Sequence, residues 1–307
     1  MTISFIAVRD LFRYAVTRFS KAKLVFGHGL TNAYDEAAYL VLHTLNLPID
    51  TLEPFLDARL LPEEIAAVLT VIEHRTTNRI PAAYITHEAY MHGYSFYVDN
   101  RVIIPRSFIG ELLINAKKLQ PYLVNFDKIN SVLELCTGSG CLAILATHVF
   151  PNAIVDAVDL SEQAIEVARI NVHSYGLEDR VTLYIGDLYE PLPIHRSTKL
   201  NERYSIIITN PPYIKTASMT ILPPEYRHEP EIALAGGIDG MDVARRIIED
   251  ARRWLKDDGV LIVEIGNNRE SAEQYFGDLN LIWLPTSGGK NNVFLIHALD
   301  LPKKLSK

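Results

Sequence analysis

The chain opens with apolar side chains three and four positions apart. In SFIAVRDLFRYAVTRF they fall at Phe5, Val8, Leu11, Phe12, Ala15 and Phe19, a spacing that predicts an amphipathic helix. TNAYDEAAYLVLHTLNL predicts a second helix, capped by Thr31 or Asn32 and stopped by Pro48. LPEEIAAVLTVIEHRTTN predicts a third, with a proline and two glutamates in the first turn, as suits a helix N-terminus. Residues 1–80 therefore read as a small helical N-terminal domain. Residues 81–105, rich in Tyr, Phe, Val and Ile around Gly93 and an Asp99-Asn100 turn, read as a β-hairpin linking two domains. Helical spacing resumes in RSFIGELLINAKKLQPYL.

From residue 131 the period alternates between strand and helix. SVLELC, AIVDAVDL, VTLYIGD, YSIIIT and GVLIVEIG predict five strands. CLAILATHVF, SEQAIEVARINVHSYG and GMDVARRIIEDARRWLKDDG predict helices, the second ended by Gly176. Such alternation specifies an α/β fold, a parallel sheet covered on both faces. LIWLPTSGGKNNVFLIHA predicts a closing antiparallel hairpin with a Gly-Gly turn. Residues 106–307 form the larger domain in this reading.

Composition changes this picture little. At 307 residues, with 48% hydrophobic and 22% charged, the chain is an ordinary globular protein with ample material for a core. Its formal net charge of −7 argues against a general nucleic-acid binder and suits a basic protein partner or plain solubility. Two cysteines, Cys136 and Cys141, make neither a CxxC pair nor a zinc set and read as reduced, buried thiols of a cytoplasmic protein. The N-terminus lacks a signal-peptide pattern, and no run approaches the length of a membrane span. The histidines, His87, His92 and His228 among them, show no ligand spacing, so no metal is expected.

Candidate chemistry sits at strand ends. LELCTGSGCLA follows the first αβ strand and opens a helix; Gly138 and Gly140 allow a backbone–ligand approach that a Cβ would block, or simply make a tight turn. Asp159 ends the second strand, 21 residues after Gly138, where an acidic residue takes the ribose hydroxyls of a nucleoside. Asp187 ends the third strand and either accepts from an adenine amine or caps its loop. The loop is neither a Walker motif nor GxGxxG, since Cys136 holds the first glycine position. That disfavours a diphosphate ligand, and NAD or FAD with it.

TNPPYIK ends the fourth strand. Each proline pushes the residue before it into an extended conformation, and neither donates a hydrogen bond. The Asn210 side-chain oxygen and the Pro211 carbonyl thus sit in a stiff frame as two acceptors. Two convergent acceptors suit a planar NH2, against which Tyr213 can lay its ring. The nitrogen lone pair of such a group is delocalised, and drawing on both hydrogens makes it a better nucleophile. The plain alternative is a satisfied Asn-Pro turn.

LELCTGSG, DAVDLS, GD and TNPPY, in that order, resemble the class I S-adenosylmethionine-dependent methyltransferases of planar amino groups. NRVIIPRS resembles the linker motif of the protein glutamine methyltransferases. LCTGSGC, FGHGLTNAYDEAAYLVLHTLNLP and LPPEYRHEPEIALAGGIDGMD resemble their ribosomal-protein branch rather than the release-factor branch. The resemblance implies a Rossmann-like fold with S-adenosyl-L-methionine as methyl donor and S-adenosyl-L-homocysteine as product. It implies transfer to a glutamine amide nitrogen in large ribosomal subunit protein three, a basic substrate met free or in an assembly intermediate and recognised by the N-terminal domain. Neither nucleic-acid specificity nor membrane association is implied.

By the same resemblance Asn210, Pro211, Pro212 and Tyr213 are the catalytic tetrad. Cys136, Thr137, Gly138, Ser139 and Gly140 surround the methionine part of the cofactor, and Glu134 also belongs to the cofactor site. Asp159 takes the ribose and Asp187 and Leu188 the adenine, and Leu160 and Asn210 lie beside the cofactor too. The release-factor branch has a Trp where this chain has Leu188. Pro105 and Arg106 belong to the linker motif on the substrate side, and Arg106 reads equally as a salt-bridge partner. Rival readings are a release-factor glutamine methyltransferase, a DNA adenine methyltransferase, a non-catalytic ribosome assembly factor and a nicotinamide dehydrogenase. The acidic charge weighs against DNA, the intact motifs against loss of catalysis, and the loop and closing hairpin against a dehydrogenase.

Overall fold

A computed structural model describes residues 5–302. The first four residues of the chain, which include the start of the first expected helix, and the last five lie outside the described residues. The first helix, Val8–Lys21, buries Val8, Leu11, Ala15 and Phe19 on one face. Asp10 accepts hydrogen bonds from the amides of Ile6 and Ala7 at its N-terminus, at 3.0 and 3.1 Å. Helices Ala33–Thr44 and Pro62–Thr76 pack on it around Leu40, Val41, Val68 and Ile72. The Asn32 side chain caps the second helix by accepting from the Asp35 amide at 2.9 Å.

Seven strands form the main sheet: β3 Ser131–Leu135, β4 Ile154–Asp159, β5 Val181–Ile185, β6 Tyr204–Thr209, β7 Leu255–Glu264, β8 Ile282–Trp283 and β9 Val293–His297, in the order β5-β4-β3-β6-β7-β9-β8. The strands from β5 to β7 pair in parallel, and β9 is antiparallel to both β7 and β8. Every residue of β3 is buried, as expected of a strand covered on both faces. The chain winds outward from β3 to β5, then returns to β6 on the other side of β3. This is the point of an open α/β sheet where a crevice forms outside the carboxyl ends of the strands. Thr209 at the end of β6 donates to the Leu135 carbonyl at the end of β3, at 3.0 Å, and locks the two strand ends together.

Several boundaries differ from the sequence reading. Within residues 81–105, Ala82–Thr86 is helical, because Pro81 starts a turn that the Thr86 hydroxyl back-bonds to the Ala82 carbonyl at 3.1 Å. The hairpin itself spans β1 Glu88–Met91 and β2 Tyr94–Tyr97. Its turn is His92-Gly93, with φ of 53° and 85°, the left-handed pair that suits the twist of a two-residue hairpin. Asp99-Asn100 instead makes a bend in which Asp99 accepts from the Arg101 amide. The expected helix after Arg106 breaks at Asn115, and the expected helix through LKDDG ends at Trp254, where β7 begins. Helix Arg269–Phe276 had no clear apolar period and was not foreseen. In the closing segment, Thr286 and Gly289 exchange backbone hydrogen bonds around Ser287-Gly288. Both cysteines are free, Cys141 buried and Cys136 only partly so. Among the described residues no helix is long and apolar enough to cross a membrane.

Candidate active site

A cavity of about 720 Å³ opens at the carboxyl ends of β3 to β6. That is within the range of sites for small molecules and cofactors. Cys136 and Gly138 line it from the loop after β3, Asp159 and Leu160 from β4, Asp187 and Leu188 from β5, and Asn210 through Tyr213 from β6. Arg106 also reaches it. Pro105, Glu134, Thr137, Ser139 and Gly140 do not line it. Pro105 is buried beside it. Glu134 is buried behind the glycine loop and accepts from the Thr137 hydroxyl at 2.5 Å and the Ala143 amide at 2.9 Å. These residues hold the shape of the loop from behind.

Asp159 accepts from the Gly138 amide at 2.8 Å through one oxygen and from the Ser161 amide at 2.9 Å through the other. Each oxygen keeps further acceptor capacity for a ligand. Burial pushes this carboxyl upward, although the backbone donors oppose that. Asp187 is engaged at the rim by Arg246, at 2.7 Å. Cys136 and Leu188 both take left-handed backbone conformations, φ 60° and 52°. Non-glycine residues rarely hold this geometry, which gathers where a site must be shaped.

The tetrad is held from several sides. Asn210 donates through Nδ2 to the Arg106 carbonyl at 3.4 Å, while its buried Oδ1 has no hydrogen-bond partner. A buried acceptor left unpaired costs about 1–3 kcal/mol, so an orphaned oxygen on a residue that lines a cavity marks a place made for a donor. The Tyr213 carbonyl accepts from Asn268 Nδ2 at 2.7 Å. Glycines crowd Tyr213: a Cβ on Gly236 would lie 2.6 Å from its Cα, and one on Gly266 2.6 Å from its ring. Burial pushes the Tyr213 phenol up to about 12, so it stays neutral.

The far wall was not foreseen as part of the site. Tyr226, Pro230, Ile232, Ala233 and Leu234 line the cavity, and the segment returns to the tetrad where the Ile214 amide donates to the Leu234 carbonyl at 2.8 Å. Its anchor is Glu229, whose side chain is fully buried and grips Arg106 with both oxygens, at 2.5 and 2.6 Å. Burial pushes the Glu229 carboxyl up, and the Arg106 hydrogen bonds and nearby His28 outweigh it, bringing it down to about 2. Arg106 is therefore a cavity residue and a salt-bridge partner at once. PEYRHEPEIALAGG contains these residues, but nothing in its local pattern indicates a partner 123 positions away.

Glu264 lies below the tetrad and accepts from the Ser107 hydroxyl and the Phe108 amide at 2.6 and 2.9 Å. Burial raises it to about 7 despite those donors. A carboxyl raised in the folded state favours the fold below its unfolded pKa, and that contribution is lost as pH rises through the folded value. Wild-type stability should therefore fall between about pH 4.5 and 7 through this group, by roughly 3 kcal/mol. Glu264→Gln should flatten that part of the curve in denaturant titrations at pH 5 and 8. An unchanged slope would contradict it.

Comparison with known proteins places the chain in a family. The Methyltransferase small domain profile matches residues 115–222. The ribosomal protein uL3 glutamine methyltransferase of Burkholderia pseudomallei is 66% identical over 298 residues, covering 97% of this chain and 96% of the relative. Its counterpart in Bordetella pertussis is 53% identical over 94% of both chains. That of Neisseria meningitidis serogroup A is 52% identical, over 94% of this chain and 92% of the relative. With near-complete coverage at such identity, the chain belongs to the ribosomal protein uL3 glutamine methyltransferase family.

Proposed function

We propose that this protein transfers a methyl group from S-adenosylmethionine to the side-chain amide nitrogen of a glutamine in ribosomal protein uL3, in the cytoplasm. The observation that carries the chemistry is the unpartnered, buried Oδ1 of Asn210, a residue that lines the same cavity as Asp159, Cys136 and Gly138. The cavity fits the methyl donor: backbone and Cys136 of the glycine loop would flank its methionine part, Asp159 its ribose, and Asp187 with Leu188 its adenine. When bound, that group supplies an activated methyl on a sulfonium, which is already a good leaving group.

What remains for the chain is orientation. Asn210 Oδ1 and the Pro211 carbonyl would accept the two hydrogens of the glutamine NH2, and Tyr213 would pack on the amide plane. As the nitrogen takes the methyl, positive charge would grow on those hydrogens, so the acceptors bind the transition state more tightly than the ground state, and loss of one of those hydrogens to water as a proton would restore the neutral amide. Positioning of this kind needs no strong general base.

The body of the substrate would dock on the N-terminal helices. A second groove of about 500 Å³ there is lined by Tyr34, Tyr39 and Tyr90 and by Asp35, Asp50, Glu53 and Glu88. Among the described residues no lysine or arginine lines it. A ribosomal protein carries lysines and arginines to meet RNA phosphates. Tyrosine faces and carboxylates are complementary to such side chains. Because the same basic side chains would later hold RNA, we favour free uL3 or an early assembly intermediate as substrate.

The test is labelled methyl transfer to free uL3, a release factor and DNA side by side. Label on a uL3 glutamine is expected, and label confined to either alternative would overturn the reading. The doubly reversed variant Asp50→Lys/Glu53→Lys should raise KM for uL3 about tenfold at low salt with kcat unchanged, and added salt should narrow the gap. An unchanged KM would remove the groove from the account.

A further inference from the structure

The Asn210 amide can work only one way round. Turned by half a rotation it would present NH2 to the incoming NH2. Its orientation is set by one contact, Nδ2 to the Arg106 carbonyl. The question becomes what sets the position of that carbonyl.

Arg106 follows Pro105 in an extended segment that no strand of the sheet holds. Its guanidinium is fixed instead. Glu229 takes Nη1 and Nη2 in a two-pronged pair, and the same Glu229 Oε1 accepts from the Ile104 amide at 3.0 Å. Arg106 Nη1 also donates to the Ile104 carbonyl at 3.2 Å, and the guanidinium lies over the Tyr226 ring, 5.4 Å from its centroid. Backbone at Ile104 and side chain at Arg106 are thus tied to one buried carboxylate. A fork of this geometry fixes direction as well as distance.

On its other side the carboxylate faces the loop between the first two N-terminal helices. His28 Nε2 lies 3.6 Å from Glu229 Oε2, and its ring packs on Tyr226 with centroids 4.4 Å apart. Four residues earlier, buried Glu225 accepts from the Val25 amide at 3.1 Å and from Arg79 at 3.0 Å. Two glutamates on one segment therefore do different things. Glu225 staples the segment to the N-terminal helices, and Glu229 reaches the residue whose carbonyl meets Asn210.

We propose that Glu229 is a positioning residue for the reaction: by clamping Arg106 it holds the Arg106 carbonyl against Asn210 and sets the direction of the Asn210 side-chain amide beside the cavity. The inference rests on the reading of Asn210 as the acceptor for substrate NH2. It adds that the orientation of that acceptor is supplied from the far wall.

Glu229→Gln keeps the volume and loses one acceptor of the fork. It should lower kcat at least tenfold, with KM for uL3 and the calorimetric Kd for S-adenosylhomocysteine within about threefold of wild type. Glu225→Gln serves as the control for loosening the wall: it should lower Tm as much or more and leave kcat within about twofold. Arg106→Lys keeps the charge and loses the fork, and it serves if Glu229→Gln does not fold. The pair Arg106→Lys/Glu229→Gln should be no slower than the slower single variant, because both act through one carbonyl. The proposal is overturned if Glu229→Gln turns over like Glu225→Gln, or if the two losses multiply in the double variant. Normal turnover in Asn210→Ala would instead overturn the reading beneath it, and absence of methyl transfer to uL3 by the wild type would overturn the assigned function.

Discussion

Asn210→Ala should retain its fold and lose about 10²–10³ in kcat, the loss seen when one preorganised hydrogen-bonding group is removed from an active site. The two effects are expected to separate. Asn210 Oδ1 is buried with no partner, so the folded apoprotein bears the penalty of a desolvated acceptor. Truncation removes that penalty along with a single long hydrogen bond to Arg106, of 3.4 Å. Tm should therefore stay level or rise while turnover collapses, the pattern of a group retained for activity at the expense of stability. KM for uL3 should change far less than kcat if, as proposed above, the body of the substrate docks on the N-terminal groove. Thermal melts and single-turnover transfer on the same preparation check both halves. Near-normal turnover in a folded Asn210→Ala would remove the asparagine from the chemistry.

Arg75→Ala should have the largest effect on stability. Arg75 is 1% exposed and meets Glu36 at 2.5 Å, with Glu225 at 3.6 Å and the Val25 carbonyl at 3.2 Å. Its removal leaves Glu36 buried without a counter-ion and weakens the neutralisation of Glu225. Breaking a buried pair in this way costs about 3–5 kcal/mol, or on the order of 10 °C in Tm. The defect should depend on pH. Burial already raises the Glu36 carboxyl even with Arg75 beside it. Without the arginine it will take up a proton more readily, and a raised carboxyl favours the fold at low pH and loses that contribution as pH rises. The deficit should be smaller at pH 5 than at pH 8. Adding Glu36→Leu to Arg75→Ala should recover part of it, since the uncompensated charge and not the lost contact is the larger penalty. A pH-independent deficit, unmoved by Glu36→Leu, would show that packing of Arg75 over the Phe26 ring, 5.8 Å from its centroid, dominates instead.

What could be read from the sequence was local. Cys136 to Gly140 follow a buried strand and open a helix, Asp159 ends the next strand, and Asn210 to Tyr213 end the fourth; each signal lies within a few residues of the element that carries it. The strand-to-helix rhythm places all three at one end of a parallel sheet, and the reversal between β3 and β6 brings them to one crevice. The residues that steady them could not be read the same way. Glu229 acts on Arg106 across 123 positions and Glu225 on Val25 across 200, and no periodicity encodes such a pair. Nor does the pattern tell which side of a loop faces inward, so Glu134 and Thr137 could not be separated from Gly138 before the fold was seen. Residues 82–86 failed for a simpler reason: AYIT is rich in strand-favouring side chains, and a proline-started turn overrode them.

The cavity has two halves of unlike tolerance. On the tetrad side, Gly236 and Gly266 lie so close to Tyr213 that any side chain would displace it, and Asn268 ties its carbonyl from below. On the far side, Ile232 and Ala233 meet the same space with an exposed and a half-buried side chain, and Leu234 with a buried one. Mutational drift, natural or directed, is thereby channelled. A change at Ile232 or Ala233 would reshape the cavity at little cost in packing, while a side chain at Gly236 or Gly266 would displace Tyr213, so the far wall is where substitutions should be tolerated.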